Sequence, residues 1–316
     1  MGGYILKRFV LAVPVLLGIT IVVFLLVRLI PGDVIDTMLG TEGSLRPEVR
    51  QQLRETLGLD RPLVVQYVTW LGDILQGDLG RSLRTGQPIV ENLAGKLPIT
   101  LELAFLSVVM SMVIAIPLGI ISALRRNSLA DFLVRLVGTF GLSLPNFWLA
   151  TMLILIASRY FQWGASLVYI SLFEDPVENL KQMLLPSIAL ALGLTAVVMR
   201  MTRSSMLEVL SQDYIRTARA KGVRERWVIY RHALRNALAP VLTVIGIQTG
   251  HLLGGAVIVE QIFGLPGLGW FLLNGIYQRD YPAVQAGVLI LAGIFVLVNL
   301  VVDVLYAYID PRIQYG

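Results

Sequence analysis

Six apolar runs, each long enough to cross a bilayer, set the limits on what this chain can become. The first extends from Phe9 to Ile30. At 1.5 Å per residue, its roughly 22 residues match a hydrocarbon core of about 30 Å. Lys7 and Arg8 precede it, and Arg28 lies near its far end, where a long side chain snorkels to the interface. A secretory signal has an apolar core of only about 7–15 residues and a small-residue cleavage site. No such site follows, so the run is read as an uncleaved first span. Pro14 and Gly18 inside it are tolerated in a membrane helix. Further spans are predicted from Leu97 or Ile99 to about Leu124, Leu133 to Ala157, Leu185 to Met201, Pro240 to Val259 and Ala283 to Tyr308. Only 15% of the residues are charged and the mean hydropathy is +0.73, whereas soluble domains are about one quarter charged. The fold class is an all-α polytopic membrane protein with six transmembrane helices.

The same composition excludes several functions. There is no cysteine, hence neither a disulfide framework nor a thiolate metal site. The two histidines, His232 and His251, make no multi-histidine site, so no metal is expected. No G-x-x-x-x-G-K-[ST] motif occurs, so any ATP that drives the protein is bound elsewhere. The net charge of +5 resides beside apolar runs and is read as topology, not as nucleic-acid binding.

The segments between and within the spans carry their own signals. Pro31-Gly32-Asp33 ends the first helix. Leu45, Val49, Leu53 and Leu57 recur every four residues before Gly58, which predicts a short amphipathic helix. Pro62 opens another, with Leu63, Tyr67, Trp70, Leu71 and Ile74 on one side; its aromatics suit a helix lying along the membrane interface. Gly77-Asp78-Leu79-Gly80 is a turn. Residues 31–97 are thus a connecting loop or a contact surface for an external partner. Pro117 is expected to kink the second span.

The third span contains Gly138-x-x-Gly141 and then Ser143, Pro145 and Asn146. Pro145 frees backbone groups that need partners. Ser143 and Asn146 either repair that kink or line a substrate path. Arg159 to Met183 reads as a polar-aromatic connector, with Pro186 in the first turn of the fourth span. In the fifth span Gly246, Gly250 and Gly254 repeat every four residues, a pattern that lets helices approach closely. Gln248 and His251, three apart, share a face at membrane depth, where a polar pair is a functional candidate or an interhelical hydrogen bond. Glu260 to Pro282 is too rich in glycine and proline for regular structure and is read as an outer loop. Asn299 and Asp303 lie near the inner half of the last span, before Asp310-Pro311-Arg312.

The most basic stretch is Asp213–Pro240, DYIRTARAKGVRERWVIYRHALRNALAP, with apolar runs on both sides. Tyr214, Ile215 and Ala218 share one helical face, and Gly222 suits a left-handed C-terminal cap. Val223, Trp227, Tyr230 and Leu234 predict an aromatic-aliphatic stripe on a second helix. The stretch is either a loop carrying positive-inside charge or a docking element for a soluble partner. Charge assigns the sides. Lys7, Arg8, Arg125, Arg126, Arg135, Arg312 and the nine basic residues from Arg200 to Arg235 fall in one set of segments. In residues 31–97, by contrast, nine acids exceed seven bases. The basic set is therefore expected in the cytoplasm, with both termini.

The run Ala218-Arg219-Ala220 with Gly222 resembles the "EAA" loop of ABC importer permeases. More closely, RTARAKG followed by RHALRNALAP resembles the dipeptide/oligopeptide/nickel permease family, as do LGLDRP, QGDLGRS, GLSLP, FGLPGLG and RDYP in order along nearly the whole chain. The general loop pattern ends apolar-x-Leu-Pro, where this chain has His232, Ala233, Leu234 and Arg235, so only the leucine matches. The resemblance implies the type I ABC importer permease fold in a bacterial or archaeal cytoplasmic membrane. It implies a first span over residues 1–30, an extracytoplasmic segment over 31–97 and a permease core over 98–316 with a cytoplasmic coupling loop at 204–239. Implied partners are a second homologous permease, two ABC ATPase subunits carrying the ATP and Mg, and an extracytoplasmic substrate-binding protein. No cofactor is expected in this chain, and no catalysis. The coupling residues implied are Arg216, Thr217, Ala218, Ala220, Lys221, Gly222 and Trp227; Ser143, Asn146, Gln248 and His251 are the candidates for the path. The cargo implied is a di- or oligopeptide, with nickel or another small solute as the alternative. An ion-coupled secondary transporter would need mid-membrane carboxylates and internal repeats, and a membrane enzyme a catalytic constellation; the sequence favours neither.

Overall fold

The computed structural model describes residues 2–29, 51, 55, 58, 60–163 and 168–309. Among them the regular structure is helical, apart from one isolated bridge between Arg81 and Pro88. The helices are α1 (Gly2–Leu29), α2 (Leu63–Leu75), α3 (Ile89–Leu124), α4 (Leu129–Ser143), α5 (Asn146–Phe161), α6 (Pro176–Leu210), α7 (Asp213–Ala220), α8 (Glu225–Phe263), α9 (Leu268–Tyr277) and α10 (Tyr281–Ile309). Helices α1, α3, α6, α8 and α10 are long and apolar enough to cross a membrane, and α4 with α5, bent by 102° at their break, would together make a sixth, broken span. The amphipathic helix predicted over Leu45–Leu57, the Pro31-Gly32-Asp33 break, the Asp303 side chain and the Asp310-Pro311-Arg312 tail lie outside the described residues.

The structure corrects several boundaries. The third span is not one helix. Leu144 (ψ 123°) is extended, as the ring of the following proline favours, and Pro145 (φ −65°, ψ 139°) is extended as the residue that precedes α5. Ser143 Oγ donates to Thr139 O at 2.9 Å, a bond back to the preceding turn of α4. The second span begins at Ile89 and passes through Pro98 and Pro117 as unbroken helix. The fourth span begins ahead of Pro186. Asp175 caps it by accepting from Val177 N (3.0 Å) and Glu178 N (3.1 Å), and Pro176 takes the first helical position, where it sacrifices no bond. Pro186 and Pro240 both lie inside helices. The outer loop predicted over Glu260–Pro282 contains α9, and Glu260 itself belongs to α8.

The chain divides into two compact units. The first comprises Thr100–Leu265 with the terminal stretches Met1–Leu6 and Leu297–Gly316. Helix α6 is its core: 61% of its most apolar window is buried, and α4, α5 and α8 pack against it. Small residues set those approaches. A β-carbon at Gly138 would lie 2.8 Å from Met199 Cε, one at Gly141 3.2 Å from Ala196 Cβ, and one at Gly246 would overlap Val302. Of the predicted glycine series in α8, Gly246 and Gly250 are buried, whereas a β-carbon at Gly254 would meet no neighbouring element within 4 Å; it is Gly255 that makes the close approach.

The second unit comprises Lys7–Ile99 and Pro266–Val296. Here α2 uses its predicted aromatic face against α1, with the Tyr67 and Trp70 rings 5.3 and 5.6 Å from that of Phe24. The Tyr67 hydroxyl hydrogen-bonds Thr20 Oγ1 at 2.8 Å, and Arg28 donates twice to Gln66 Oε1 at 2.8 and 3.1 Å. Two of the family-like motifs meet in this unit. Ser82 Oγ donates to Asp280, Leu83 N donates to Asp280 Oδ1 at 3.1 Å, and Arg84 Nε donates to Gln278 O at 2.7 Å. The turn of QGDLGRS is thereby fastened to RDYP almost two hundred residues later.

Candidate coupling segment and membrane groove

Helix α7 has only eight residues, too few to be stable alone in water. Its C-terminus is closed by a complete Schellman motif. Gly222 N donates to Arg219 O at 2.9 Å and Val223 N to Ala218 O at 3.2 Å, with Gly222 in the left-handed region at φ +76°. Arg219 then bridges the turn with both donors of its fork on Glu225, at 2.7 and 3.2 Å. That hydrogen-bonded guanidinium holds Glu225 below the ordinary carboxylate range, and Glu225 in return raises Arg219. Asn236 Nδ2 donates to the Tyr214 hydroxyl at 2.9 Å and so ties α7 to α8.

The inward face is apolar. Ile215 is fully buried in a cluster with Ile120 and Ala123 of α3, Met206 of α6, and Val228, Ala233 and Ala237 of α8; Ala218 and Val223 pack at its edge. The segment is thus bolted to the ends of three spans. Among the expected coupling residues, Arg216, Thr217, Ala220, Lys221, Gly222 and Trp227 are exposed and Ala218 is half-buried against the cluster. The predicted stripe is divided. Trp227 and Tyr230 face outward, 54% and 56% exposed, beside Tyr214 at 43%. Val228 through Leu234 form a π-helical turn, whose wider winding carries Val228 and Ala233 inward instead.

The path residues are partly gathered. Asn146, Gln248 and His251 line one open groove of about 200 Å³ between the α4–α5 break, α6 and α8, with Leu190 and Leu194 on its apolar side. Asn146 is held by glycines: β-carbons at Gly193 and Gly255 would lie 3.4 Å from its Oδ1 and 3.2 Å from its Nδ2. Ser143 is exposed, outside this lining, and its hydroxyl bonds back to Thr139 O within α4. The groove offers amide and imidazole hydrogen-bonding groups and no carboxylate. Among the described residues no group of three or more His, Cys, Asp or Glu could hold a metal ion.

Three polar nodes escaped the sequence reading. Asp131, with no exposed surface, accepts from Arg203 Nε (2.7 Å) and Nη2 (3.0 Å), Ser122 Oγ (2.5 Å) and Asn127 N (3.0 Å), joining α3, α4 and α6. Buried Glu260 accepts from Thr100 Oγ1 at 2.6 Å. The Tyr169 phenol donates to Glu102 Oε2 at 2.7 Å, and burial first, then that carboxylate, push the phenol above its ordinary range. Only the first had a local signal: Ser128-Leu-Ala-Asp131 is a helix-start pattern, and Ser128 Oγ accepts from Asp131 N.

Comparison with known proteins agrees with this architecture. The family model described as "Binding-protein-dependent transport system inner membrane component" matches residues 115–315, and the model for the N-terminal part of such components matches residues 1–104. The dipeptide transport system permease protein DppB of Alkalihalophilus pseudofirmus is 44% identical, and the oligopeptide transport system permease protein AppB of Bacillus subtilis 41%, each over the whole of both chains. A chain of the MetNI methionine ABC transporter in an inward-facing conformation superposes with a TM-score of 0.56 at 20% identity, covering 69% of this chain and 96% of that one. The fold is that of the membrane subunit of a type I ABC importer. The chain belongs to the inner membrane component family of binding-protein-dependent transport systems, and it is a multi-pass ABC transporter permease.

Proposed function

We propose that this permease admits di- and oligopeptides to the cytoplasm, driven by ATP hydrolysis on partner subunits. The observation that carries the coupling part is the α7–α8 segment. Its inner face is fixed to α3, α6 and α8, while Tyr214, Trp227 and Tyr230 remain exposed among cations. Buried anchors and exposed aromatics together are what a docking element requires. The peptide part is supported by whole-length likeness to permeases named for dipeptides and oligopeptides.

In this reading two ATPases bind ATP and Mg and close. Their grooves hold Trp227, Gly222 and the exposed residues around them, so α7 moves with them. The span ends follow because Ile215 is locked among them, and access switches between the two sides. A loaded extracytoplasmic binding protein biases the same equilibrium from the other side. A second homologous permease supplies the other wall of the path, and on this chain's wall Asn146, Gln248 and His251 meet the cargo. Both termini and the coupling segment face the cytoplasm.

The test is reconstitution with the ATPases and binding protein, with wild type beside Trp227→Ala and Tyr230→Ala. Expected are capture of the ATPases by wild type, weaker capture and less binding-protein-stimulated hydrolysis in the variants, and uptake of labelled dipeptide that unlabelled oligopeptide competes. A wild type that captures no ATPase would remove the importer reading. Uptake of nickel ions in place of dipeptide would move the cargo and leave the coupling intact.

A further inference from the structure

We infer that a groove between α4 and α6, at the coupling-segment end of these helices, holds an anionic glycerophospholipid. The groove encloses about 220 Å³ and lies apart from the one lined by Asn146. Three guanidinium groups line it, those of Arg135, Arg200 and Arg203, with Gly138, Ala196 and Met199 as apolar wall. Among the described residues one carboxylate faces these cations. Asp131 takes both donors of Arg203 and has Arg135 at 3.5 Å. Arg200 is exposed and makes no ion pair or side-chain hydrogen bond among the described residues. The groove therefore carries an excess of positive charge beside a surface that water does not favour.

The order of these groups along the helices selects the occupant. On α6, Ala196 and Met199 precede Arg200 and Arg203 toward the coupling segment; on α4, Gly138 and Thr139 lie about one turn, roughly 5 Å, farther into the span than Arg135. Cation at the membrane edge and apolar wall toward the membrane centre is the polarity of a lipid, with its phosphate outward and its chain inward. A free anion would leave the wall unused. Beside the groove α4 presents Phe132, Leu133, Leu136 and Phe140, all 40% exposed or more, a surface continuous with hydrocarbon. Basic pockets between spans at the cytoplasmic side select anionic headgroups in this manner. That this end lies in the cytoplasmic leaflet rests on the orientation proposed above; the pocket does not.

The experiment is native mass spectrometry of the purified importer released from nanodiscs of mixed phosphatidylglycerol and phosphatidylcholine. Wild type is compared with Arg200→Gln, with Thr139→Trp to fill the groove, and with Arg126→Gln, an exposed cation at the same end outside it. Expected are retention of phosphatidylglycerol over phosphatidylcholine, about five-fold weaker retention in Arg200→Gln, loss in Thr139→Trp, and no change in Arg126→Gln. Equal retention by Arg200→Gln and wild type would overturn the inference. So would equal weakening by Arg126→Gln, which would mean general surface attraction, or displacement of the lipid by inorganic phosphate alone. Oxidative disulfide capture of Thr139→Cys by cysteines introduced into the second permease would assign the groove to protein instead. Lipid retention is read without transport, so an inverted topology, detected by labelling Arg126→Cys from outside, would fail the orientation and leave the pocket standing.

Discussion

Replacing Gly222 separates backbone strain from crowding, because the structure removes one of the two. The residue is at φ +76°, and a β-carbon there meets nothing within 4 Å. The cost of a side chain in the isolated permease is then the left-handed conformation alone, about 1–2 kcal/mol for an L-residue. That is a factor of about 5–30 in the equilibrium between the capped and the opened turn. Gly222→Ala and Gly222→Trp should cost about the same, and Gly222→Asn less, since asparagine tolerates this region. The readout is hydrogen exchange at the amides of residue 222 and Val223, the two donors of the capping motif. Both should exchange about 5–30-fold faster in Gly222→Ala. In the assembled importer, stimulated ATP hydrolysis should fall in Gly222→Ala and fall further in Gly222→Trp, because only there does bulk meet the partner. Unchanged exchange in Gly222→Ala would refute the cap argument. A tryptophan far more disruptive than alanine in the isolated chain would refute the claim of open space.

Further substitutions at Ile215, Asp131 and Asp280 test the packing of that segment and two long-range polar links elsewhere in the chain. Ile215→Ala empties a wholly buried site and should cost about 2–5 kcal/mol, against about 0.5–1.5 for removal of one methyl in Ile215→Val; thermal denaturation in detergent with a graded fall in ATPase capture checks it, and equal midpoints would exclude the anchoring role. Asp131→Asn strands Arg203 and should cost about 3–5 kcal/mol, toward the lower end because the Arg203 side chain is 22% exposed. Adding Arg203→Gln should recover part of that loss, and strict additivity would mean that the pair is not a unit. Asp280→Ala removes the acceptor for Ser82 Oγ and Leu83 N, a loss of about 1.5–3 kcal/mol for hydrogen bonds to a charged group. Limited proteolysis should then cut the turn at Leu83–Gly86 faster, and an unchanged rate would show that the turn is held by other contacts.

The spans were legible because hydropathy is a property of consecutive residues, and the Gly222 cap because it is a single-residue demand. Proline misled the reading in both directions. The pattern predicts helix starts at Pro186 and Pro240, yet membrane helices carry internal prolines where neighbouring groups satisfy the freed carbonyl. It predicts a kink at Pro145 within one span, yet that proline separates two helices at 102°. The stripe through Trp227 and Tyr230 assumed a period of 3.6 residues, which the π turn breaks. The five-residue step from Val228 to Ala233 is the buried period that the structure uses. Asp131–Arg203 and Ser82–Asp280 join residues 72 and 198 positions apart. No local pattern in one chain announces such pairs.

The two candidate sites share one helix, and that bears on how they communicate. α8 carries Trp227 at one end and Gln248 and His251 farther along, about 30 Å apart at 1.5 Å per residue. A hydrogen-bonded helix is stiff over that length, so a displacement of its exposed end need not be relayed through side chains. Two places in the rod are weaker than the rest. The π turn lacks the regular i→i−4 ladder, and Pro240 has no N–H to give the carbonyl of Asn236. Both lie on the coupling side of the groove residues, and both are backed by buried side chains, Val228 and Ala233 at the first and Ala237 and Val241 at the second. Packing on one side turns a weak point into a hinge with a preferred direction. The proposed cycle then requires α8 to pivot about its α3 and α6 contacts, with Asn146, held against Gly193 and Gly255, as the element of the opposite wall that Gln248 and His251 approach or leave.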